Sequence, residues 1–194
     1  MSEIASICIY CGSSSRASEA HLDAAARLGR LIAESGRTII YGGGRLGLMG
    51  RVAQGGLAGG GTVVGIIPEH LYKVEVQNED VTELLVVDTM HTRKAEMVRR
   101  ADAFCVLPGG IGTLDELVEI LTWRQLELHD KPVVVVNQDG YFEPFRALLA
   151  HFIEHRYAGP ALLEFVSFVD RVEDVLPLLE ASPPERFEEH PEKI

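Results

Sequence analysis

Three short loops of the sequence are rich in glycine or serine, and each directly follows a strand-like run. They are the segments 11–15 (CGSSS), 42–47 (GGGRLG) and 108–113 (PGGIGT). Glycines ahead of a helix let several backbone N–H groups point at one anion, and the helix dipole adds to the attraction. Turn chemistry alone also explains a glycine after a strand. The prediction of a phosphate site therefore depends on all three loops meeting at one place.

A carboxylate that follows the third loop has two alternative roles. Thr113 and Glu116 have the spacing of a helix capping box, with Thr113 as the N-cap, and spacing alone favours this structural role. A phosphate bound at the same helix start would compete for the same N–H groups and would repel the carboxylate. If the loop does bind phosphate, Glu116 is expected to face the sugar of a nucleotide instead.

The segment 90–100 (MHTRKAEMVRR) gathers basic residues in a chain that is acidic as a whole. Such a cluster is often a solvated helix face. Arg93, however, falls in the first turn of the predicted helix, where the helix dipole disfavours a cation. We therefore expect Arg93 to contact an anion or a carboxylate.

Two nucleotide-binding motifs are only superficially present. Gly42, Gly44 and Gly47 fit GxGxxG, but they follow the second strand instead of the first, and Pro68 precedes Glu69 where a ribose-binding acid would be expected. No glycine loop is followed by Lys and then Ser or Thr, as a P-loop requires. Nicotinamide and ATP chemistry are both disfavoured.

Two further motifs suggest metal or redox chemistry. His151, Glu154 and His155 fit the HxxEH pattern of zinc peptidases, but they occur late in a helix, distant from the glycine loops and without an identifiable additional ligand. Cys8 and Cys11 form a CxxC, but Cys8 lies inside the first strand, whereas redox pairs open a helix. We interpret both motifs as packing residues.

The overall composition limits the partners. The chain has 194 residues and a net charge of −11, so it should repel nucleic acid and anionic membranes while still accepting a small phosphorylated ligand at local N–H groups. No apolar run approaches the roughly 20 residues that span a bilayer. The three cysteines form no disulfide framework and no signal-peptide pattern is present. We expect a cytoplasmic protein.

The elements that would position these residues alternate between strand and helix patterns. Strands are predicted over 4–10, 38–41, 62–67, 84–87, 103–107, 133–137 and 165–169, and helices over 18–35, 90–101, 113–126 and 142–156. Several strands are continuously apolar, which is typical of parallel strands covered on both faces. We predict one doubly wound, Rossmann-like α/β domain over 1–182, with a mostly parallel sheet of about seven strands and a peripheral tail over 183–194. The glycine loops should meet at the carboxyl edge of that sheet.

The combination of PGGIGTLDE at 108–116 with MHTRKA at 90–95 resembles the LOG ("Lonely guy") family of cytokinin riboside 5′-monophosphate phosphoribohydrolases. The signature pair of that family is PGGxGTxxE with MHxRK. The similarity extends to the segments 10–14, 41–44, 47–50 and 122–126, and only the C-terminal tail lies outside it. Ile111 stands where many relatives carry an aromatic residue.

The resemblance implies hydrolysis of an N6-substituted adenosine 5′-monophosphate to the free base and ribose 5-phosphate, by a homodimer and without a cofactor. Arg93 and Glu116 correspond to the catalytic pair. Glu116 would stabilise positive charge on the ribose and polarise water, while Arg93 would fix phosphate or sugar and keep Glu116 ionised. The loops and the resemblance together predict substrate contacts at Ser13, Gly43, Gly44, Glu75, Met90, Lys94, Gly109, Gly110, Ile111, Gly112 and Thr113.

Two other activities remain as alternatives. Proteins of this family are often labelled lysine decarboxylases, but a pyridoxal phosphate enzyme needs a Schiff-base lysine, and Lys94 is the sole candidate among Lys73, Lys94, Lys131 and Lys193. A non-catalytic carrier of a nucleotide or of molybdenum cofactor could use the same fold. Glu116 discriminates between a hydrolase and a carrier, because a carrier has no use for an acid beside the ribose.

Overall fold

A computed structural model describes residues 4–72 and 77–181. Seven strands form one sheet in the order β4-β3-β2-β1-β5-β6-β7, and every pairing between neighbours is parallel. The strands are β1 Ser6–Tyr10, β2 Thr38–Tyr41, β3 Val63–Pro68, β4 Glu83–Val87, β5 Ala103–Val106, β6 Val133–Val136 and β7 Ser167–Val169. All seven predicted strands are confirmed, with shifts of one or two residues at their ends.

Helices cover both faces of this sheet, as the continuously apolar strands predict. The helices are α1 Glu19–Glu34, α2 Gly47–Ala58, α3 Glu69–Tyr72, α4 Met90–Arg100, α5 Ile111–Gln125, α6 Glu143–Glu154 and α7 Val175–Ala181. The helices α1, α2 and α7 pack into the core on one face, and α4, α5 and α6 pack into the core on the other. Of the helices in residues 4–72 and 77–181, none is long and apolar enough to cross a membrane.

The strand order reverses direction between β1 and β5, which places a crevice between their carboxyl ends. The three glycine loops meet there. Gly12 donates its N–H to the carbonyl oxygen of Pro108 at 3.1 Å, and its own carbonyl oxygen accepts from the N–H of Leu48 at 2.9 Å. The predicted convergence of the loops is therefore confirmed.

The capping-box interpretation of Thr113 and Glu116 is wrong. Gly110 has extended backbone angles and accepts the N–H of Leu114 at 3.0 Å, so α5 begins at Ile111 and has no side-chain cap. Thr113 is therefore the third residue of the helix. Glu116 lies in the second turn, where its carboxylate is free to face another element instead of the helix start.

The helices α2, α3 and α7 were not predicted from the sequence. Helix α2 contains four glycines, which have poor helix propensity. These glycines allow α2 to pack closely against α1, because a Cβ atom on Gly55 would lie only 1.9 Å from the carbonyl oxygen of Ala26 in α1. The two helices therefore approach closely enough that a side chain is excluded. The tail 183–194 lies outside the described residues, so the boundary at 182 stays a prediction.

Candidate active site

A cavity of about 750 Å³ opens at the crevice between β1 and β5. This is within the size range of small-ligand pockets. Two of the glycine loops, 11–15 and 108–113, contribute to its wall, together with the first turns of α1, α2, α4 and α5, whereas the loop 42–47 does not line it. Among the predicted site residues, those that line it are Ser13, Met90, Arg93, Gly109, Gly110, Ile111, Gly112, Thr113 and Glu116.

Arg93 enters this cavity from α4 as a buried cation with fixed orientation. Its Nε donates to the carbonyl oxygen of Ile66 at 3.1 Å, and Nη2 donates to that of Gly42 at 3.2 Å. A Cβ atom on residue 42 would lie 2.0 Å from Nη2. The absence of a side chain at Gly42 is thus what lets the guanidinium reach the ends of β2 and β3.

Glu116 faces Arg93 across the cavity. Its Oε1 lies 3.5 Å from Nη1 of Arg93, and the two side chains are only 12% and 6% exposed. The predicted pairing of Arg93 with a carboxylate is confirmed. Burial raises the pKa of Glu116 to about 7, although the charges of Arg93 and Lys94 oppose this shift. Arg93 favours the ionised form of Glu116, in the expected direction, but desolvation outweighs the attraction and leaves the pKa near neutral pH.

The start of α5 leaves space beside its glycines. A Cβ atom on Gly110 or Gly112 would meet no heavy atom within 4 Å, and neither residue has a positive φ. The fold itself therefore does not require glycine at these two positions. A ligand that approaches the backbone closely would require it. Helix geometry also leaves the N–H groups of Ile111, Gly112 and Thr113 without acceptors inside the helix.

Some predicted contacts are not brought to the cavity. Lys94 places its Nζ 2.7 Å from Asp115 and 3.3 Å from Glu119, and Gly43 accepts the N–H of Asn78 at 3.1 Å. Lys94, Gly43 and Gly44 do not line the cavity as the described residues define it. Their contact with substrate stays a prediction. Glu75 lies outside the described residues.

The geometry of Lys94 also bears on the decarboxylase alternative. Partial burial lowers the pKa of Lys94, but the hydrogen bonds and charges of Asp115 and Glu119 raise the pKa overall. A Schiff base forms from a neutral amine. Lys94 is held as a cation, so it does not fit that role.

Several side chains that line the cavity were not predicted from the sequence, among them Arg16, His21 and Tyr141. The ring of His21 stands edge-on to that of Tyr141 with centroids 5.6 Å apart, and the Tyr141 hydroxyl donates to the carbonyl oxygen of Gly109 at 2.7 Å. Nε2 of His21 is buried without a hydrogen-bond partner in residues 4–72 and 77–181. The available signal was their placement after β1 and β6, at the same carboxyl edge of the sheet.

The two motifs interpreted as packing residues differ in outcome. Cys8 and Cys11 are buried, and burial raises the pKa of both thiols, which confirms the interpretation for the CxxC. His151 and His155 are exposed. The packing interpretation of the HxxEH motif is therefore wrong.

Comparison with known proteins gives the family. Residues 49–179 match the model of the family described as "Possible lysine decarboxylase". Cytokinin riboside 5′-monophosphate phosphoribohydrolase LOG3 of Arabidopsis thaliana is 41% identical over 178 residues, which cover 92% of this chain and 83% of that protein. The protein LOG of Oryza sativa subsp. japonica, with the same enzyme name, is 49% identical over 143 residues, which cover 74% of this chain and 59% of that protein.

Among solved structures, the molybdenum cofactor binding protein of the phototrophic bacterium Rippkaea orientalis is similar with a TM-score of 0.71 and 22% identity, over 92% of this chain and 97% of that one. That similarity confirms the fold alone. The sequence relatives and the extent of the family match show that the chain belongs to the LOG family, as the paired motifs at 90–95 and 108–116 predict.

Proposed function

We propose that the protein hydrolyses the N-glycosidic bond of an N6-substituted adenosine 5′-monophosphate, releasing the free base and ribose 5-phosphate. The observation that carries the proposal is the buried Arg93–Glu116 pair, which lines the same cavity as the glycine-rich start of α5. The enzyme name of the plant relatives supports the substrate class.

The phosphate would bind at the start of α5. Three N–H groups without helical acceptors, those of Ile111, Gly112 and Thr113, together with the helix dipole attract an anion. The open space beside Gly110 and Gly112 permits close approach. Arg16 and His21 line the same cavity. Arg16 adds positive charge, and His21 adds a hydrogen-bond donor. These groups bind the charged end of the substrate, and the sugar lies toward Glu116.

Glu116 would act on the ribose. Cleavage of the bond between C1′ and the base nitrogen builds positive charge on the sugar, which a nearby carboxylate stabilises. A water molecule then adds to C1′ and gives its proton to Glu116. Glu116 returns this proton to the departing base. A pKa of about 7 suits this exchange, since the group both accepts and returns a proton at neutral pH.

Arg93 would contact the sugar or phosphate through the face of its guanidinium that lines the cavity. Its two backbone acceptors fix it in place before substrate binds, so little reorganisation is needed. Its charge also stabilises the ionised form of Glu116.

A panel of purine and pyrimidine monophosphates, with and without N6 substituents, tests the proposal when base release is followed by chromatography. Nucleosides without phosphate serve as controls and are expected to react poorly. In Glu116→Gln we expect turnover to fall by at least about 100-fold, with nucleotide binding retained in calorimetry. Wild-type-like turnover in that variant would refute the mechanism. Absence of base release from every monophosphate, with binding intact, would favour the carrier alternative.

We also propose that the protein is a cytoplasmic homodimer that binds neither nucleic acid nor membranes. The acidic composition supports the exclusion of nucleic acid and anionic membranes. The family resemblance supports the homodimer, and so does an apolar groove of about 650 Å³ between α5 and α6. This groove includes Val118, Phe152 and Tyr157, of which Tyr157 is 87% exposed. A second copy of the chain would cover it.

Light scattering coupled to gel filtration tests the dimer. Phe152→Glu is expected to give a monomer, and Val86→Glu, an exposed site on the edge strand β4, should remain a dimer. A dimeric Phe152→Glu variant would contradict the assignment of this groove.

A further inference from the structure

Helix α6 carries a cluster of metal-ligating side chains that the proposed function does not use. His151 and Glu154 lie in its last turn and His155 is its C-cap residue, and one ligand atom of each lies within 4.8 Å of the others. The centroids of the two imidazole rings are 4.2 Å apart. All three side chains are exposed in the single chain; His151 and His155 also line the apolar groove between α5 and α6, whereas Glu154 does not.

The spacing explains the juxtaposition. Residues separated by three or four positions lie on the same side of a helix, so His151 faces both Glu154 and His155. Two imidazoles and one carboxylate are a ligand set of borderline-soft divalent ions such as Zn²⁺. Zn²⁺ bonds of about 2.0–2.2 Å require the donors to approach each other further. Exposed side chains achieve that by rotating their χ angles.

The electrostatic surroundings favour a cation. The cluster lies at the C-terminal end of α6, where the helix dipole is negative, and Glu154 adds a formal charge. Arg156, the next residue but one, opposes this attraction from the segment after the helix. The chain as a whole carries a net charge of −11.

We propose that His151, Glu154 and His155 bind one Zn²⁺ ion, with water completing the coordination. The site lies at the rim of the apolar groove and shares no lining residue with the catalytic cavity. It is therefore separate from the hydrolytic chemistry and does not depend on the proposed hydrolysis. A bound ion would link the last turn of α6 to its C-cap residue and stabilise the folded chain increasingly as its occupancy rises.

Zinc titration of the full chain, free of any purification tag and treated with a chelator, tests the site. We expect about one equivalent of Zn²⁺ to bind with micromolar affinity, since the site is open and has no further groups to orient the imidazoles. His151→Ala and His155→Ala should each weaken binding by about tenfold or more, and Glu154→Gln should weaken it less. His70→Ala is the control, because His70 is also exposed but lies on α3.

A second measurement separates this site from binding elsewhere. Zn²⁺ should raise the melting temperature of the wild type and of His70→Ala but not of His155→Ala. Zinc affinity that is unchanged in both His151→Ala and His155→Ala would overturn the proposal, and so would a wild type that binds no zinc. Circular dichroism confirms that the variants fold, which their exposed positions favour.

Discussion

The loops 42–47 and 108–113 are both glycine-rich and both follow parallel strands, yet they use glycine differently. In the first loop, Gly42 makes room for the protein's own Arg93, whose Nη2 would lie 2.0 Å from a Cβ atom there. In the second loop, Gly110 and Gly112 face open space. The first loop therefore helps to position the buried Arg93–Glu116 pair, and the second leaves space that a ligand can enter.

This contrast explains why composition alone is a poor guide to a glycine loop. A glycine that the fold requires reveals the position of a protein group. A glycine that the fold does not require indicates the approach of something else. The two kinds predict different defects on substitution, so they can be separated by measuring stability and activity together.

The largest effect is expected for Gly42→Ala. The added methyl displaces the Arg93 guanidinium from the ends of β2 and β3 and leaves a buried charge poorly paired. We expect a loss of about 2–4 kcal/mol in the free energy of unfolding. The value of kcat/KM should fall by about 100-fold or more, because Glu116 loses its partner.

Urea denaturation and steady-state kinetics measure both effects. Gly44→Ala is the matched control for stability in the same loop, since the three heavy atoms nearest to a Cβ atom there all belong to the flexible side chain of Met49, the first at 3.0 Å. If Gly42→Ala is as stable as Gly44→Ala, the first loop does not hold Arg93 in the way described.

Gly112→Ala should reverse this pattern. Because Gly112 lies in the first turn of α5 and has no neighbour around its Cβ position, alanine should leave stability unchanged or raise it by up to about 1 kcal/mol. The methyl would occupy the space of the phosphate. We therefore expect KM for a nucleoside monophosphate to rise by about tenfold.

Inhibition by ribose 5-phosphate and by free base distinguishes the two ends of the cavity. Gly112→Ala should weaken binding of ribose 5-phosphate while leaving binding of the base nearly unchanged. Equal weakening of both would contradict the placement of phosphate at α5.

Much of this arrangement could be predicted from the sequence. Seven apolar runs gave the seven strands, and the crossover rules of parallel sheets placed the loops 42–47 and 108–113 at one edge. The position of Arg93 in a first helical turn indicated an anionic partner, which is Glu116. These features depend on local patterns and on general rules of chain topology.

Other features depend on tertiary contacts that no local pattern encodes. No helix was predicted over α2, because the role of its glycines in packing against α1 appears only when both helices are placed. The start of α5 was misplaced because Gly110 begins the helix through its backbone alone. The pKa of Glu116 depends on burial, which competes with Arg93 in a way that spacing does not reveal.

That pKa predicts opposite effects of pH on activity and on stability. If the ionised form of Glu116 is active, kcat/KM should rise by about tenfold between pH 6 and pH 8, following a pKa of about 7. Stability should change in the other direction. Between the ordinary pKa of 4.5 and about 7, the folded chain binds more protons at Glu116 than the unfolded chain does, so its stability falls as pH rises.

Glu116→Gln is the control for this second effect. Its free energy of unfolding should exceed that of the wild type by more at pH 8 than at pH 5, with a difference of up to roughly 3 kcal/mol for a shift of this size. Denaturation curves at the two pH values measure it. A constant difference between variant and wild type would mean that Glu116 is ionised over the whole range.

The smallest effect is expected at His21, which tests the phosphate side of the comparison. Its buried Nε2 has no hydrogen-bond partner among the described residues, although Oδ2 of Asp139 lies 4.0 Å away, and His21 lines the cavity together with Tyr141 and Gly109. If it donates to the phosphate, His21→Phe should raise KM for the monophosphate by about three- to tenfold with little change in kcat. Phenylalanine keeps the edge-on ring contact with Tyr141, so packing is preserved.

The nucleoside without phosphate decides whether that effect comes from the ligand. His21→Phe should hydrolyse the nucleoside at the same slow rate as the wild type, because the nucleoside has no phosphate that His21 could contact. A parallel loss on both substrates would instead indicate that His21 supports the shape of the loop 108–113. The second loop would then resemble the first, holding a protein group in place, and the contrast between the two would be limited to Gly110 and Gly112.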